Sequence, residues 1–230
     1  MTDPKGASWP VAVGDAQTVA VHDIASPDGA RVVFVCAHGA GGNREDRSML
    51  AVRDALVRRQ VDVVRFNFLY KEKGGGRPDP MPRLMDTVAA VAQRARDELR
   101  PDLLLIGGRS MGGRAASMLA ADGFAADGLL LLAYPLHPAG QPEKLRDAHL
   151  PSIRIPVLCF NGTRDELCRP DLMEKVLKTV GPNWTMHWLE GADHSFHVLK
   201  SSGRTDAEVM DEVGDTTRTW IDSLGSHSGG

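Results

Sequence analysis

The sequence contains few of the residues that mark membrane or secreted proteins. Its three cysteines cannot all form disulfides, and Cys36 and Cys159 lie in apolar runs, where reduced core cysteines are common. The longest apolar stretch, 129–134, is far shorter than the roughly 20 residues of a transmembrane helix. No apolar segment follows Lys5 near the amino terminus, so no secretory signal is visible. The low cysteine count and the lack of a long apolar stretch or visible secretory signal predict a cytoplasmic protein that does not cross a membrane.

The chain also has no large excess of positive or negative charge. Lysine and arginine total 27 and aspartate and glutamate total 30, which gives a net charge of -3. Binding to nucleic acid or to a membrane surface would need a clustered positive field, so neither is expected. At 230 residues, with 42% hydrophobic and 25% charged residues, the chain has the size and composition of one globular domain. We place this domain at residues 9–224, between a flexible N-terminus at 1–8 and a flexible tail at 225–230.

Short apolar runs alternate with longer amphipathic segments along the chain. The run 103–106 is apolar throughout, which is typical of strands covered by helices on both faces of a sheet. In the segment 47–59, Met49, Val52 and Leu56 recur at helical spacing and form one apolar stripe. The predicted strands are 18–24, 32–37, 61–66, 102–107, 128–133, 156–160 and 184–189, with a further candidate at 9–13. The predicted helices are 47–59, 81–99, 110–121, 171–180 and 206–224.

This alternation predicts an α/β fold with a mostly parallel sheet of about eight strands and helices on both faces. The first two strands have no helix between them, so we expect them to form an antiparallel hairpin at one edge. The loop 69–80, which contains three glycines and two prolines, is predicted to be the most flexible segment.

Ser110 has the sequence context of a nucleophilic serine. A buried strand ends at Gly107, Ser110 follows within the motif G-x-S-x-G at 108–112, and a predicted helix begins at once. A nucleophile on so sharp a turn needs a strained backbone, and a Cβ atom at Gly108 or Gly112 would collide with the neighbouring strand and helix. The amino end of the helix then places N–H groups beside the oxyanion that develops during attack.

A phosphate-binding loop is the main alternative at this position. Gly108 and Gly113 have the Walker A spacing, but Arg114 and Ala115 stand where that motif needs Lys and Ser or Thr. The dinucleotide pattern G-x-G-x-x-G is not met either. The serine nucleophile is therefore the favoured interpretation.

A base and an acid follow Ser110 in the order that this type of turn requires. Asp165 lies in the turn after the predicted strand 156–160, and His194 lies in the turn after the strand 184–189. Because the carboxyl ends of parallel strands meet at one crevice, the three side chains can come together despite their separation in sequence. We predict Ser110 as nucleophile, Asp165 as acid and His194 as base.

Neighbouring residues offer alternatives for two of these roles. Glu166 could replace Asp165 as the acid, and His197 could replace His194 as the base, although it lies further from the strand end. Asp193 adjoins His194 and cannot easily reach the far nitrogen of its ring. His194, His197 and Asp193 have no further ligand group beside them, so we predict no metal.

The other histidines are assigned no proton transfer. We expect His137 and His149, in the proline-rich connection after the strand 128–133, to be solvated. His187 lies in the middle of a strand and is expected to pack.

The motif His-Gly-Ala-Gly-Gly at 38–42 follows the strand 32–37 and is predicted to form the oxyanion loop. The hole should combine the N–H of Met111, the residue after the nucleophile, with one N–H from this loop. Ala40 is the preferred donor, with Gly41 next, and we expect His38 to brace the loop.

Four motifs together resemble those of the α/β-hydrolase superfamily. They are HGAGG (38–42), GRSMG (108–112), NGTRDEL (161–167) and GADHSF (191–196). The stretch 134–158 further resembles the compact testis-expressed-type branch, which is akin to dienelactone-hydrolase-like proteins. The resemblance implies an eight-stranded sheet, a Ser-Asp-His triad and no cofactor. True dienelactone hydrolases use a cysteine nucleophile, and this sequence has Ser110 in that place.

The resemblance and the motifs together predict a serine hydrolase of ester-type bonds acting on a small-molecule ester. A thioesterase or a peptidase would use the same triad, and a non-catalytic interaction protein could keep the same fold. The superfamily usually inserts its cap after the strand that here ends at Ala133. The prolines of the connection 135–156 disfavour a long helix, so we expect a minimal cap or none. The sequence allows a homodimer but identifies no apolar helix that would form one.

Cations in two places could attract an anionic substrate to this site. Lys71, Lys73 and Arg77 lie in the loop 69–80, and Arg109 lies inside the nucleophile motif. The favoured expectation is that the loop cations are solvated and that Arg109 points outward to a surface carboxylate.

Overall fold

The computed structural model describes residues 5–25 and 31–225 of the chain. Within these residues, eight strands form one sheet and helices pack on both of its faces. The strands are β1 (Lys5–Val13), β2 (Ala16–Asp23), β3 (Val32–Ala37), β4 (Asp62–Phe66), β5 (Leu103–Arg109), β6 (Gly128–Leu132), β7 (Val157–Gly162) and β8 (Trp184–Leu189). The helices are α1 (Arg47–Val57), α2 (Leu69–Glu72), α3 (Met81–Leu99), α4 (Met111–Ala121), α5 (Pro170–Leu177) and α6 (Asp206–Gly225).

The sheet has the strand order β1-β2-β4-β3-β5-β6-β7-β8. β1 and β2 form an antiparallel hairpin at one edge, β2 pairs antiparallel with β4, and all later pairs are parallel. The predicted mostly parallel sheet and its edge hairpin are confirmed. β1 begins at Lys5, so residues 5–8, which the sequence assigned to a flexible N-terminus, belong to a strand. The remaining parts of the predicted flexible ends, 1–4 and 226–230, lie outside the described residues.

Each face of the sheet is covered by a separate apolar cluster. α3 buries Leu84, Val88 and Val91 on one face, together with the small residues of α4. α1 and α6 cover the other face, where Met49 and Val213 are among the buried residues. This two-sided cover explains why β3, β4, β6 and β7 are buried along their whole length.

The segment 69–80 is more ordered than its glycines suggest, because it begins with α2. Leu69 and Tyr70 are buried, and the Tyr70 N–H donates to the Asp79 carboxylate at 2.9 Å. The chain then turns back, with the Gly75 N–H bonded to the Tyr70 carbonyl at 2.7 Å. The prediction that this whole segment is a flexible loop is wrong for its first four residues, because their apolar side chains pack into the core.

The connection between β6 and β7 contains one 3-10 turn, Leu150–Ser152, and no α-helix. It therefore builds no helical cap above the carboxyl edge, as the prolines predicted. Cys36 and Cys159 are buried and not disulfide-bonded, which confirms the prediction of reduced core cysteines. Across the described ranges, no helix combines the length and apolar character that a membrane span requires.

Candidate active site

Ser110 lies on a strained turn between the last residue of β5 and the first residue of α4. Its φ of 48° and ψ of -115° are unusual for a residue with a side chain. A Cβ atom on Gly108 would lie 2.1 Å from the carbonyl oxygen of Ala37, and one on Gly112 would lie 2.5 Å from the same oxygen. Both glycines are therefore required for the turn to approach the end of β3, which is the close contact that the motif predicted.

The three residues predicted as a triad meet at the carboxyl edge of the sheet. Ser110 Oγ lies 2.9 Å from His194 Nε2, and His194 Nδ1 lies 2.9 and 3.0 Å from the two carboxylate oxygens of Asp165. With a proton on Nδ1, the ring donates to Asp165 and accepts from the Ser110 hydroxyl. The Asp165 side chain is fully buried and the His194 side chain is 28% exposed, so Asp165 is shielded from solvent while His194 is partly accessible.

Asp165 is held in place by two donors besides His194. The Asn161 side-chain amide donates to one carboxylate oxygen at 3.0 Å, and the Leu167 N–H donates to the other at 2.8 Å. Asn161 is itself buried, and its amide also bonds the main chain of Tyr134 at 3.0 and 3.2 Å. The sequence reasoning missed Asn161. The available signal was a polar residue near the end of the otherwise apolar strand β7.

The loop that carries His194 is fixed by Asp193 and Arg109. The Asp193 carboxylate accepts the N–H groups of Ser195 at 2.8 Å and His197 at 3.1 Å. Asp193 therefore shapes the loop and does not orient the His194 ring, in agreement with the sequence reasoning.

Arg109 is buried, with 7% of its surface exposed, and Nη2 donates to the His194 carbonyl at 2.8 Å. Its guanidinium lies 5.0 Å from the centre of the Phe196 ring, and burial lowers the Arg109 pKa. The expectation that Arg109 points outward to a surface carboxylate is wrong. The His194 loop crosses over the turn at Ser110 and covers the guanidinium with a carbonyl and an aromatic ring.

The alternative acid and base lie elsewhere. Glu166 is exposed and is not bonded to His194. His197 faces α6, where its Nδ1 lies 3.0 Å from both carboxylate oxygens of Asp206. Neither residue takes part in the contact between Ser110 and His194.

Two other histidines are more buried than expected. His137 is 2% exposed, donates from Nδ1 to the Pro138 carbonyl and accepts the Arg169 N–H at Nε2. His149 is half-buried, and its Nε2 lies 2.8 Å from Ser117 Oγ. The prediction that both are solvated is wrong, because the connection after β6 folds back against α4 and the turn after β7.

The predicted oxyanion loop lies beside the nucleophile. Ala37 pairs with Gly108 at the ends of β3 and β5, and a Cβ atom on Gly39 would lie only 3.5 Å from Ser110 Cβ. Ala40 directly follows Gly39, which lies close to Ser110, and Met111 follows Ser110 as the first residue of α4.

His38 is hydrogen-bonded on both sides of its ring at the start of the predicted oxyanion loop. It is fully buried, donates from Nδ1 to the Gly39 carbonyl at 2.8 Å and accepts the Phe68 N–H at Nε2 at 3.1 Å. Burial lowers the His38 pKa, which favours the neutral ring that these two bonds require.

Residues 30–222 match the family model described as the alpha/beta hydrolase domain. The chain belongs to this family, and the fold and superfamily expected from the four motifs are confirmed.

Solved structures with the same fold include several hydrolases. An α/β serine hydrolase without a lid from Xanthomonas campestris is 22% identical, with a TM-score of 0.72 over 96% of each chain. A dienelactone hydrolase from Anabaena variabilis is 18% identical, with a TM-score of 0.72 over 96% of this chain and 98% of the other. The esterase domain of a Rhodothermus marinus protein is 15% identical, with a TM-score of 0.68 over 93% of this chain and 98% of the other.

Proposed function

We propose that this protein is a serine hydrolase that cleaves ester-type bonds of small molecules. Ser110 is the nucleophile, His194 the general base and Asp165 the carboxylate that orients the base. The observation that carries the proposal is the continuous path of hydrogen bonds from Ser110 Oγ through the His194 ring to the buried Asp165 carboxylate. Membership of the α/β-hydrolase family and neighbours named as esterases support the same reaction class.

The reaction proceeds through an acyl-enzyme. His194 Nε2 takes the proton of the Ser110 hydroxyl as Oγ attacks the acyl carbon, and Asp165 stabilises the imidazolium that forms. The imidazolium then protonates the departing alcohol. In the second half, His194 activates a water molecule that attacks the acyl-enzyme and releases the acid with regeneration of Ser110.

The main-chain N–H groups of Ala40 and Met111 stabilise the negative charge on the carbonyl oxygen in both halves. Donors of this kind are fixed by the fold before the substrate binds, and losing one costs on the order of 10²–10³ in rate in related chemistry. The bracing of the oxyanion loop by His38 keeps the first donor beside Ser110.

Labelling by a fluorophosphonate probe and hydrolysis of p-nitrophenyl acetate test the proposal together. Wild type should be labelled and active, and Ser110→Ala should lose both properties while keeping its fold, because alanine fits the turn. Ser152→Ala is the matched control, since Ser152 is an exposed serine in the 3-10 turn far from Ser110 in sequence. It should be labelled and should hydrolyse the ester at the wild-type rate.

Two outcomes would overturn the proposal. A folded Ser110→Ala variant with substantial activity would remove Ser110 as the nucleophile. A wild-type protein that is neither labelled nor active on esters and thioesters would favour a binding protein on a hydrolase fold. A preference for acyl thioesters or peptides over matched esters would change the substrate class and leave the triad in place.

A further inference from the structure

A cavity of about 490 Å³ opens between α1, α6 and the loop that follows His194. Ser110, Asp165 and His194 are not among the described residues that line it, but their sequence neighbours Arg109 and Ser195 are, so the cavity lies beside the candidate active site. Its volume lies in the range of about 300–1,000 Å³ that is usual for small-molecule sites. Arg109 connects the two places, because it is one of the residues that line the cavity and its guanidinium bonds the His194 carbonyl.

Arg109 is a buried cation that no carboxylate of the described residues contacts directly, although Asp165, Asp193 and Asp46 act on it at longer range. In the part of the chain that the structure describes, its one hydrogen bond is the contact from Nη2 to the His194 carbonyl, and no carboxylate pairs with it. Burying an unpaired charge is costly, and buried charges are normally matched by an opposite charge. The guanidinium fork fits a carboxylate or a phosphate through two parallel hydrogen bonds. The free Nε and Nη1 donors of Arg109 therefore suit an anion inside the cavity.

The other charged groups that line the cavity do not serve as an anionic partner for Arg109. Two carboxylates line the cavity, but Asp206 binds His197 and the Val198 N–H, and Asp54 binds Arg53 at 2.7 Å. Both carboxylates therefore already have partners of their own, and neither forms an ion pair with Arg109.

Arg47 supplies a second cation with no direct ion pair in the described structure, although its charge, after hydrogen bonding from His197, contributes at longer range to lowering the Asp206 pKa. Arg47 is exposed, lines the cavity and has no hydrogen bond or ion pair among residues 5–25 and 31–225. Arg58, the third arginine of the lining, is bound to Asp211 at 3.0 Å. Arg47 and Arg109 are thus the two cations of this cavity that a ligand can neutralise.

Apolar side chains complete the lining. Ala51 comes from α1, Met210 from α6 and Phe196 from the His194 loop. An inorganic ion would leave these groups without a partner, whereas an organic molecule would cover them and gain free energy from the apolar surface removed from water.

We propose that this cavity binds a small organic anion, whose carboxylate or phosphate group pairs with Arg109 and Arg47 while its apolar part packs against Phe196 and Met210. The site does not depend on the proposed reaction, because the anion binds beside the candidate active site and is not cleaved there.

Isothermal titration calorimetry of the full chain tests the site with three matched probes. Benzoate and phenyl phosphate carry the two anionic groups on the same ring, and benzyl alcohol is a neutral molecule of similar size. Both anions should bind saturably with one site per chain, and benzyl alcohol should bind at least about tenfold more weakly because it cannot pair with the arginines. The ratio of the two anion affinities identifies which head group the site prefers.

Variants assign the binding to the two arginines. Arg109→Gln keeps a donor for the His194 carbonyl but removes the buried charge, and it should weaken binding by about thirtyfold or more. Arg47→Glu, at the exposed mouth, should weaken it by about three- to tenfold. Arg154→Glu makes the same charge change at an exposed arginine outside the cavity and should stay within about twofold of wild type.

Amide chemical shifts locate the anion independently of any variant that fails to fold. Titration with benzoate should shift the resonances of Phe196, Ala207 and Met210. Shifts centred on Ala40 and Met111 would mean that the anion occupies the candidate active site, and the inference would be overturned. It would equally be overturned by the absence of saturable binding, by benzyl alcohol binding as tightly as benzoate, or by equal losses in Arg47→Glu and Arg154→Glu.

Discussion

Asp165 determines which nitrogen of His194 carries the proton. With the Asp165 carboxylate against Nδ1, the proton stays on that nitrogen and Nε2 is free to accept from Ser110. Asp165→Asn would place an amide in the same contact and favour the other tautomer, so we expect kcat to fall by about 10⁴ with little change in fold. Glu166→Gln, one residue further on and exposed, should stay near the wild-type rate. The comparison uses steady-state hydrolysis of p-nitrophenyl acetate, and a reversed ranking of the two variants would assign the acid to Glu166.

The three cysteines illustrate how burial controls reactivity at single residues. Cys36, Cys159 and Cys168 are all buried, and burial raises the pKa of each thiol, that of Cys36 to about 12. Only the thiolate attacks a disulfide reagent, and at pH 8 such a pKa leaves about one thiol in ten thousand ionised. We expect native protein to show no reaction with Ellman's reagent at pH 8 and three reactive thiols after denaturation. Rapid reaction of the native protein would mean that the core around one of these residues opens readily.

At the scale of elements, the turn between β5 and α4 tolerates no side chain at Gly108. The added Cβ of Gly108→Ala would lie 2.1 Å from a main-chain oxygen of β3, so strand and turn must separate. We expect a loss of more than about 4 kcal/mol in the free energy of unfolding, or no folded protein.

Gly123 provides the matched control. Its φ of 89° is positive, as is the φ of 144° at Gly108, but the space around its Cβ position is open. Gly123→Ala should cost only about 1–2 kcal/mol, from backbone strain alone. Urea denaturation followed by circular dichroism compares the two, and equal costs would show that the close contact at the turn is not what excludes a side chain.

His149 links the connection after β6 to α4 and should make stability depend on pH. Burial, with Arg114 nearby as a second cause, lowers the His149 pKa from 6.5 to about 4; Asp122 and Asp147 act weakly in the opposite direction. Between about pH 4 and pH 6.5, the His149 side chain binds a proton in the unfolded chain but not in the folded chain. The stabilisation is therefore complete above pH 6.5 and is lost as the pH falls towards 4.

Melting temperatures of wild type and His149→Gln, measured between pH 4 and pH 7, test this effect. The glutamine amide can keep the contact with Ser117 but does not titrate. The difference in melting temperature between the two proteins should shrink or change sign as the pH falls, because only wild type loses the His149 contribution. Parallel curves would assign the acid sensitivity to other groups.

Elements with a clear local signal could be predicted from the sequence, and those fixed by distant contacts could not. β3 and α3 have the predicted bounds, because an uninterrupted apolar run marks β3 and a long apolar stripe marks α3. β8 also has the predicted bounds, although Thr185 and His187 interrupt its apolar residues. α2 was missed because the glycines after it masked the buried Leu69 and Tyr70. The orientation of Arg109 depends on the His194 carbonyl, 85 residues further along the chain. The role of Asn161 depends on Tyr134, 27 residues earlier. No local sequence pattern reveals either contact.

At the scale of the whole molecule, the carboxyl edge of the sheet is open. No α-helix lies in the connection between β6 and β7, where a cap would shield a long acyl chain from water. We expect kcat/KM on p-nitrophenyl esters to be highest for acetate or butyrate and to decline through octanoate to palmitate. At an open site most of a long acyl chain stays in water, so it adds little binding free energy. An optimum at palmitate would reveal an acyl tunnel that opens only when substrate is bound.

The order of the strands along the chain also determines when Ser110 and His194 are both present during synthesis. β6, β7 and β8 are added one after another beside β5, so Ser110 is synthesised early and His194 late, followed by α6, which covers α1. At about 10 residues per second, the 84 residues between Ser110 and His194 take about 8 seconds to leave the ribosome's active centre. During that interval the nascent chain contains the proposed nucleophile but not the proposed base, so we expect chains that end before His194 to be inactive on esters.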